Sequence, residues 1–409
     1  METLYRSSRT SLQALKALRI TQWGVQGSCP IFPMPKEVHE YSRRIAVFAL
    51  ARAIEDMAKK AKSGKCSVED LLGGPPTAEN IEKYQQELGL PDVPVYGGET
   101  TCIEVETIDG NVLIFDGGSG IRHCALSICK RYERRKDRKI YIFGSHEHLD
   151  HRSGLPFARF CFVKDNPFHI QVYGTREFLM ALDVRFGLFS KTVSPTAHLD
   201  DPLDYRFMAA KFTATEIARG DPADGSGLHR PTPDRPPPWD HVPVEAPIRI
   251  GNTAITPFDV FHGDNRCLAY KVQHGGASFI FCTDHELRRG TDPNDPRQKR
   301  SEIAEARLRK YCQNADVAYV DGQYLLEEYK GLKGIGSSLP SNRMDWGHSC
   351  IEDVIERAKA CRIKHTFIGH FDPERDWPDR IELDQKLAEL CKGQNYKIEL
   401  AKGSALIEI

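Results

Sequence analysis

From residue 95 onward the chain alternates short apolar runs with stretches of helical spacing. Runs rich in β-branched and aromatic residues predict strands at Thr101–Thr107, Asn111–Asp116, Lys139–Ser145, His169–Gly174, Ala254–Val260, Cys267–Gln273, Ser278–Thr283, Val317–Asp321 and His365–Gly369. Helices fit between many of them, notably over Ala304–Tyr311, Cys350–Cys361 and Leu383–Leu390. Upstream, Leu18–Trp23 reads as a first strand and Gly24–Pro30 as a glycine-bearing turn. Residues 37–94 change character. Ile45, Phe48, Ala49, Ile54 and Met57 recur at near-helical spacing, and Thr77-Ala78-Glu79-Asn80 predicts a helix start ahead of Ile81–Leu88. A proline-rich loop over 220–247 breaks the later rhythm, and no internal repeat stands out. The pattern predicts one α/β domain over 18–409, built of layered strands and helices, with a helical insertion at 37–94, a loop insertion at 220–247 and a tail at 1–17.

Composition narrows this only at a few points. With 409 residues, 40% of them apolar, the chain has ample material for a large core. A net charge of −1 gives no general attraction to nucleic acid or anionic lipid. The 12 cysteines are scattered singly, without a CxxC, which fits reduced thiols in an intracellular, cytoplasmic protein. No apolar stretch approaches the ~20 residues needed to span a bilayer. The basic, serine-bearing N-terminus reads as a frayed tail, with an organelle transit peptide as the alternative.

The densest chemistry lies in Ser145-His146-Glu147-His148-Leu149-Asp150-His151, directly after the apolar run Ile140-Tyr141-Ile142-Phe143. A buried strand ending in a turn delivers these groups to one point. His146 and His148, two apart on extended backbone, lean to the same side, and Asp150 with His151 turns to a second point. Imidazole nitrogen and carboxylate oxygen suit zinc and similar divalent ions, so the spacing predicts two neighbouring metal sites. More ligands are needed, and three residues just past apolar strands qualify: His262, Asp284 and His370.

In these residues the chain resembles the metallo-β-lactamase-fold hydrolases, and within them the phosphodiesterase branch of tRNase Z-like nucleases and cyclic-nucleotide phosphodiesterases. The ordered blocks are Trp23–Pro30, Gly97–Cys102, Asp116–Gly120, the His-x-His-x-Asp-His core with Arg152–Phe157 behind it, His262, Asp284, Val320–Tyr324, Trp346–Ser349 and Gly369–Pro373. The resemblance implies a four-layer αββα sandwich holding two divalent ions, zinc by default, with manganese or iron accepted by the same donors. It assigns His146, His148 and His262 to one ion and Asp150, His151 and His370 to the other, with Asp284 bridging. Asp116 either orients a ligand imidazole or caps the glycine turn. A carboxylate stands at Asp284, where secreted β-lactamases of the best-known subclass carry a cysteine thiolate, and this favours the phosphodiesterase branch.

His348, in Gly347-His348-Ser349, matches the block whose histidine protonates the leaving oxygen, and Asp321 matches the acid that steers it. The resemblance thus implies His348, Asp321 and Asp150 as catalytic residues, Asp150 doubling as a ligand. The implied reaction is hydrolysis of a small nucleotide phosphodiester, foremost a 3′,5′-cyclic nucleotide. The alternatives are a tRNase Z-like RNA 3′-end endonuclease and a non-catalytic nucleotide binder or sensor. No long glycine- and lysine-rich arm is present, so a stable nucleic-acid partner is not expected. Homodimers are common in this branch. The chain departs from the family at Glu99, at Phe371 and at Gly263-Asp264-Asn265, all near the expected pocket. Tyr324, Trp346 and Phe371 are candidates to stack a base, Arg266 and Arg375 to touch phosphate, and His285 is read as an ordinary polar residue.

Overall fold

Two mixed β-sheets lie face to face, with helices on their outer sides. The computed structural model describes residues 16–33, 35–65, 67–88, 96–192, 204–219, 238–292 and 294–409. The N-terminal half contributes β1 (Leu18–Gly24), β2 (Cys102–Thr107), β3 (Val112–Phe115), β4 (Lys139–Phe143), β5 (His169–Gly174), β6 (Lys211–Ala218) and β7 (Asp240–Pro243). The C-terminal half contributes β8 (Ile248–Ile250), β9 (Thr253–His262), β10 (Asn265–His274), β11 (Ala277–Cys282), β12 (Val317–Asp321), β13 (His365–Gly369) and β14 (Lys397–Leu400). A last strand, β15 (Ala405–Glu408), returns to pair with β1, giving sheet orders β15-β1-β2-β3-β4-β5-β6-β7 and β14-β13-β12-β11-β10-β9-β8.

The halves are built alike. Antiparallel pairs come first, β1–β2–β3 in one and β8–β9–β10–β11 in the other. Parallel strands follow, β3 to β7 and β11 to β14. Strands covered on both faces are apolar throughout, as in Val112-Leu113-Ile114-Phe115, all buried. Phe115 and Phe143 of one sheet meet Tyr270 of the other at ring separations of 5.5 Å each. The outer face of the first sheet is closed by α4 (Ile121–Arg131) and α5 (Arg176–Phe186), through Cys124, Ile128, Leu179 and Leu182. On the second sheet, α6 (Pro296–Cys312) and α7 (Ile351–Ala360) share a buried ion pair. Arg357, 1% exposed, donates twice to Glu305, from Nε to Oε1 at 3.0 Å and from a terminal nitrogen to Oε2 at 2.7 Å.

Burial raises the Glu305 carboxyl, but Arg357 and His285 outweigh it and hold it well below the usual carboxylate range. A group depressed in the folded state stabilises above its unfolded pKa, about 4.3, and that stability is lost as pH falls below it. Glu305→Gln is therefore expected to flatten the acid limb of a denaturant-midpoint profile below pH ~4. Identical acid limbs in variant and wild type would refute this.

The described residues fall into two compact units, one within 16–31, 96–375 and 382–409, the other within 32–88 and 376–381. The second contains α1 (Pro35–Ala61), α2 (Val68–Leu72) and α3 (Ala78–Leu88). Ser67 and Asp70 close a reciprocal cap at the start of α2, and Tyr41 stacks on Trp377 at 3.7 Å. In the region expected to be a proline-rich loop, residues 220–237 lie outside the described residues. Residues 240–243 form β7, so the irregular stretch ends earlier than its composition indicates. Among the described residues no helix is long and apolar enough to cross a membrane, and no cysteines are joined.

Candidate metal centre

Parallel strands end at a common edge, and β3, β4, β9, β11, β12 and β13 all end at this one. Three of them lead within two residues to a polar residue on sharply turned backbone. Asp116 after β3, Asp284 after β11 and His370 after β13 have φ of 61°, 44° and 55°. Left-handed backbone at a non-glycine residue costs energy and is kept only where the surroundings impose it.

Donor atoms of His146, His148, His262 and Asp284 lie within 4.8 Å of one another, and so do those of Asp150, His151 and His370. Asp284 faces both groups. Its Oδ2 is 3.4 Å from His146 Nε2 and 3.6 Å from His262 Nε2. Its Oδ1 is 3.3 Å from His151 Nε2 and 3.1 Å from His370 Nε2. Asp150 Oδ2 completes the second group, 3.0 Å from His151 Nε2 and 3.1 Å from His370 Nε2. It is held by the amide of Ser28 at 2.9 Å. The structure thus brings together all seven residues singled out as ligands.

Three observations fit this cluster to divalent ions. His146 Nε2 is buried without a hydrogen-bond partner, a costly state unless its lone pair is used. Imidazole nitrogens face each other at 3.2 Å in two places, His262 Nε2 to His148 Nδ1 and His370 Nε2 to His151 Nε2; a cation between such lone pairs removes their repulsion. The outward nitrogens, meanwhile, have partners. His151 Nδ1 meets Asp116 Oδ2 at 2.7 Å, and His262 Nδ1 meets the Gly347 carbonyl at 2.9 Å. His370 Nδ1 lies 2.9 Å from the Gln323 amide, His148 Nε2 3.0 Å from the Asn265 amide and His146 Nδ1 3.0 Å from Ser145 Oγ. At His151, His262 and His146 the outer partner is an acceptor, so an outward N–H there fixes the tautomer that presents the inner lone pair to a metal, whereas the Gln323 and Asn265 amide nitrogens are donors and fix no such tautomer. Asp116 therefore orients His151, and it also accepts from the Ser145 amide and hydroxyl.

Electrostatics agree. Burial pushes His262 down to about 4 and His146 well below the histidine range, so both are neutral at pH 7. Burial works against charge on Asp284 too, but His370, His151 and His146 hold it far below the usual carboxylate range. Around His151 the carboxylates of Asp150, Asp284 and Asp116 outweigh burial and raise it. The positive charge these carboxylates call for is what a divalent ion supplies.

His348 stands beside the ligands. Its ring stacks on His370 at 5.0 Å, and its Nδ1 lies 3.3 Å from Asp321 Oδ2. That same oxygen accepts from the amides of Ser349 (3.0 Å) and His285 (3.2 Å). Burial lowers His348, yet Asp321, with Asp284 and Asp150, lifts it to about 9.

Other candidates are placed differently. Tyr324 and Phe371 are buried packing residues, whereas Trp346 is 52% exposed. Arg266 is taken by Asp259 and the Ile217 carbonyl, and Arg375 by Glu328 and the Gln323 carbonyl. Glu99 pairs with Arg122 and His123. His285, read as an ordinary polar residue, is placed in a buried ion-pair network. It is buried, and its Nε2 meets Glu305 at 3.0 Å. Ser28, Asn265 and Gln323, all touching ligands, were not singled out from the sequence. Ser28 and Gln323 sit in blocks the motifs mark and Asn265 in a stretch where the chain departs from them, so only their contact with a ligand was missing.

No protein-family model matches the sequence, and no curated protein matches it. Solved structures do. Zn²⁺-bound PqqB from Methylobacterium extorquens aligns over 96% of this chain and 100% of its own, with 12% identity and a TM-score of 0.51. Unliganded yeast PDE1 aligns over 97% and 100%, again with 12% identity and a TM-score of 0.51. The chain has the metallo-β-lactamase fold. A Bacillus subtilis metallo-β-lactamase fold protein, YhfI, also matches, at 13% identity and a TM-score of 0.45, over 96% of this chain and 100% of its own. The two-sheet sandwich expected from the motifs is the one observed. The sheet edge at which β3, β11 and β13 end carries the histidine and aspartate clusters.

Proposed function

We propose that this protein is a dinuclear metal-dependent phosphodiesterase acting on a small nucleotide diester, foremost a 3′,5′-cyclic nucleotide. The observation that carries this reading is Asp284 set between two ligand groups, with the His348–Asp321 pair against one of them. Zinc is the first choice of ion, and manganese or iron suits the same nitrogen and oxygen donors.

A pair of divalent ions supplies Lewis acidity toward a phosphoryl oxygen and lowers the pKa of water at the site. The rest falls to the chain. Asp284 and Asp150 bring negative charge into a buried site, where a phosphodiester gains nothing unless cations offset it. Asp321 accepts the Nδ1 proton of His348, so the proton to be delivered sits on Nε2. An imidazolium held in this way gives that proton to a departing ribose oxygen, which as an alkoxide is a poor leaving group. A β-lactam amide or a thioester makes no comparable use of this pair.

Removing the donor is expected to cost kcat about 10²–10⁴-fold on alkyl-leaving diesters. His348→Ala should show that loss with its metal content intact, and full activity in that variant on a cyclic nucleotide would end the assignment. The wider reading is tested by measuring bound metal, then turnover of cyclic mononucleotides, cyclic dinucleotides, pre-tRNA and bis(p-nitrophenyl) phosphate. About two equivalents of metal with turnover of small cyclic diesters supports it. Selective trimming of pre-tRNA replaces it with an endonuclease, and full metal occupancy without turnover replaces it with a binder. We further place the protein in the cytoplasm, a reducing compartment consistent with the unpaired cysteines among the described residues.

A further inference from the structure

Beyond Asp284, the segment leaving β11 continues as His285-Glu286, and Glu286 is fully buried. Its carboxylate turns toward the loop that carries His348. Oε1 accepts from the Asp345 amide at 3.0 Å and from the Tyr329 hydroxyl at 2.5 Å, and Oε2 accepts from the Gly347 amide at 2.9 Å. Both loop residues have left-handed backbone, with φ of 70° at Asp345 and 91° at Gly347. The latter is out of reach for an ordinary side chain, and a Cβ on Gly347 would fall 1.9 Å from His262 Nδ1.

The far side of the loop is tied down as well. Ser349 donates its hydroxyl to the His285 carbonyl at 2.5 Å and its amide to Asp321 at 3.0 Å. His348 is thus suspended between two buried carboxylates, Glu286 gripping the residues before it and Asp321 the imidazole and the residue after it. Burying a carboxylate against neutral donors alone is costly. Fixing a surface turn does not call for that cost, because water or a side-chain amide would satisfy the same N–H groups. What the carboxylate adds is strong, directed acceptance at both amides at once.

We propose that Glu286 is the positioning residue of the proton donor: it holds the 345–347 backbone in the left-handed path that sets His348 against the centre and turns the Gly347 carbonyl to His262. Glu286 touches no substrate and takes no proton. The inference rests on the reading of His348 as general acid, and the experiment separates the two.

The probes are diaryl phosphates with 4-nitrophenol or phenol as leaving group, the latter comparable to tyrosine at about 10. His348→Ala should lose far more kcat on the phenyl ester than on the nitrophenyl ester. Glu286→Ala is expected to reproduce that selective loss by roughly 10–100-fold, as a displacement near 1 Å is enough to do, with unchanged KM. Glu286→Gln, keeping one acceptor oxygen, should fall between Glu286→Ala and wild type. In a His348→Ala background, Glu286→Ala should add no further leaving-group dependence. The ratio of the two esters, taken on one preparation, does not depend on the folded fraction, so a poorly folding variant still gives an answer. As a readout apart from turnover, the His348 ring resonances, identified by their loss in His348→Ala, should move in Glu286→Gln. Equal losses on both esters, an added effect in the His348→Ala background, or unmoved resonances would each overturn the role of Glu286. If His348→Ala itself shows no leaving-group dependence, the general-acid reading falls first, and this inference with it.

Discussion

Asp284→Ala is expected to strip the protein of divalent ions and to lower kcat/KM by on the order of 10³–10⁴-fold, the rate equivalent of several kcal/mol of lost charge stabilisation. The size follows from position. One Asp284 oxygen faces His146 and His262, the other His151 and His370, so a single substitution removes a donor from both groups. It also removes the charge that most directly opposes the crowding of five imidazoles. Asp284→Asn is the sharper variant, since it keeps shape and hydrogen-bonding capacity while discarding the charge. Metal content by elemental analysis and turnover on bis(p-nitrophenyl) phosphate read the two effects separately. Near-stoichiometric metal in either variant would show that the two groups do not depend on a shared bridge. By contrast, replacing Asn265 or Gln323 removes only an outer partner of one ligand ring, and such partners are worth about 10–100-fold in metal affinity.

The second large effect concerns stability. Arg357→Ala is expected to cost about 3–5 kcal/mol of unfolding free energy, because it leaves the Glu305 charge buried without its main partner. Arg357 is among the largest fully buried side chains, and both its Nε and one terminal nitrogen reach Glu305. Arg309 also donates to Glu305, at 2.6 Å, and His285 meets it at 3.0 Å, so the charge is shared but not replaced. Replacing both partners with apolar residues of similar volume, as in Arg357→Met with Glu305→Leu, should cost far less than the single change, since no charge is left stranded. Chemical denaturation at pH 7 measures both. A single variant within ~0.5 kcal/mol of wild type would mean that water or Arg309 takes over the load. Through His285 the same network touches the segment bearing Asp284 and Glu286, so loss of metal affinity in Arg357→Ala is the functional echo to look for.

Much of this architecture was legible along the chain. Strands such as β3, β4 and β11 are largely apolar runs, and the ligands lie at or within eight residues of strand ends, only His370 directly after one. Other elements left weaker traces. β6 alternates in Lys211-Phe212-Thr213-Ala214-Thr215, a readable signal that the strand set omits. α6 begins at Pro296, capped by Asp295, two turns ahead of the apolar stretch at Ala304; a run of charged residues conceals it. The edge strands β8, β14 and β15 are three or four residues long and take their conformation from their neighbours.

The residues that escaped notice share a property: their meaning lies in partners distant in sequence. Ser28 reaches Asp150 across 122 positions, Asn265 reaches His148 across 117, and Glu286 reaches Gly347 across 61. Periodicity reports which face of an element is buried, since burial of apolar surface acts locally and repeats with the backbone. It says nothing of which polar group ends opposite which.

By itself, then, the sequence determined a layered α/β domain and the identity of the metal-type donors, because strand periodicity and ligand chemistry are written in neighbouring residues, and the two-sheet arrangement was implied by the resemblance its motif blocks carry. Only the tertiary structure decided that Asp284 divides its oxygens between two clusters and that each ligand ring is locked from outside. It alone hung the loop carrying His348 between Glu286 and Asp321. Those are matters of distance between strand ends far apart in the chain, set by how the sheets pair and pack.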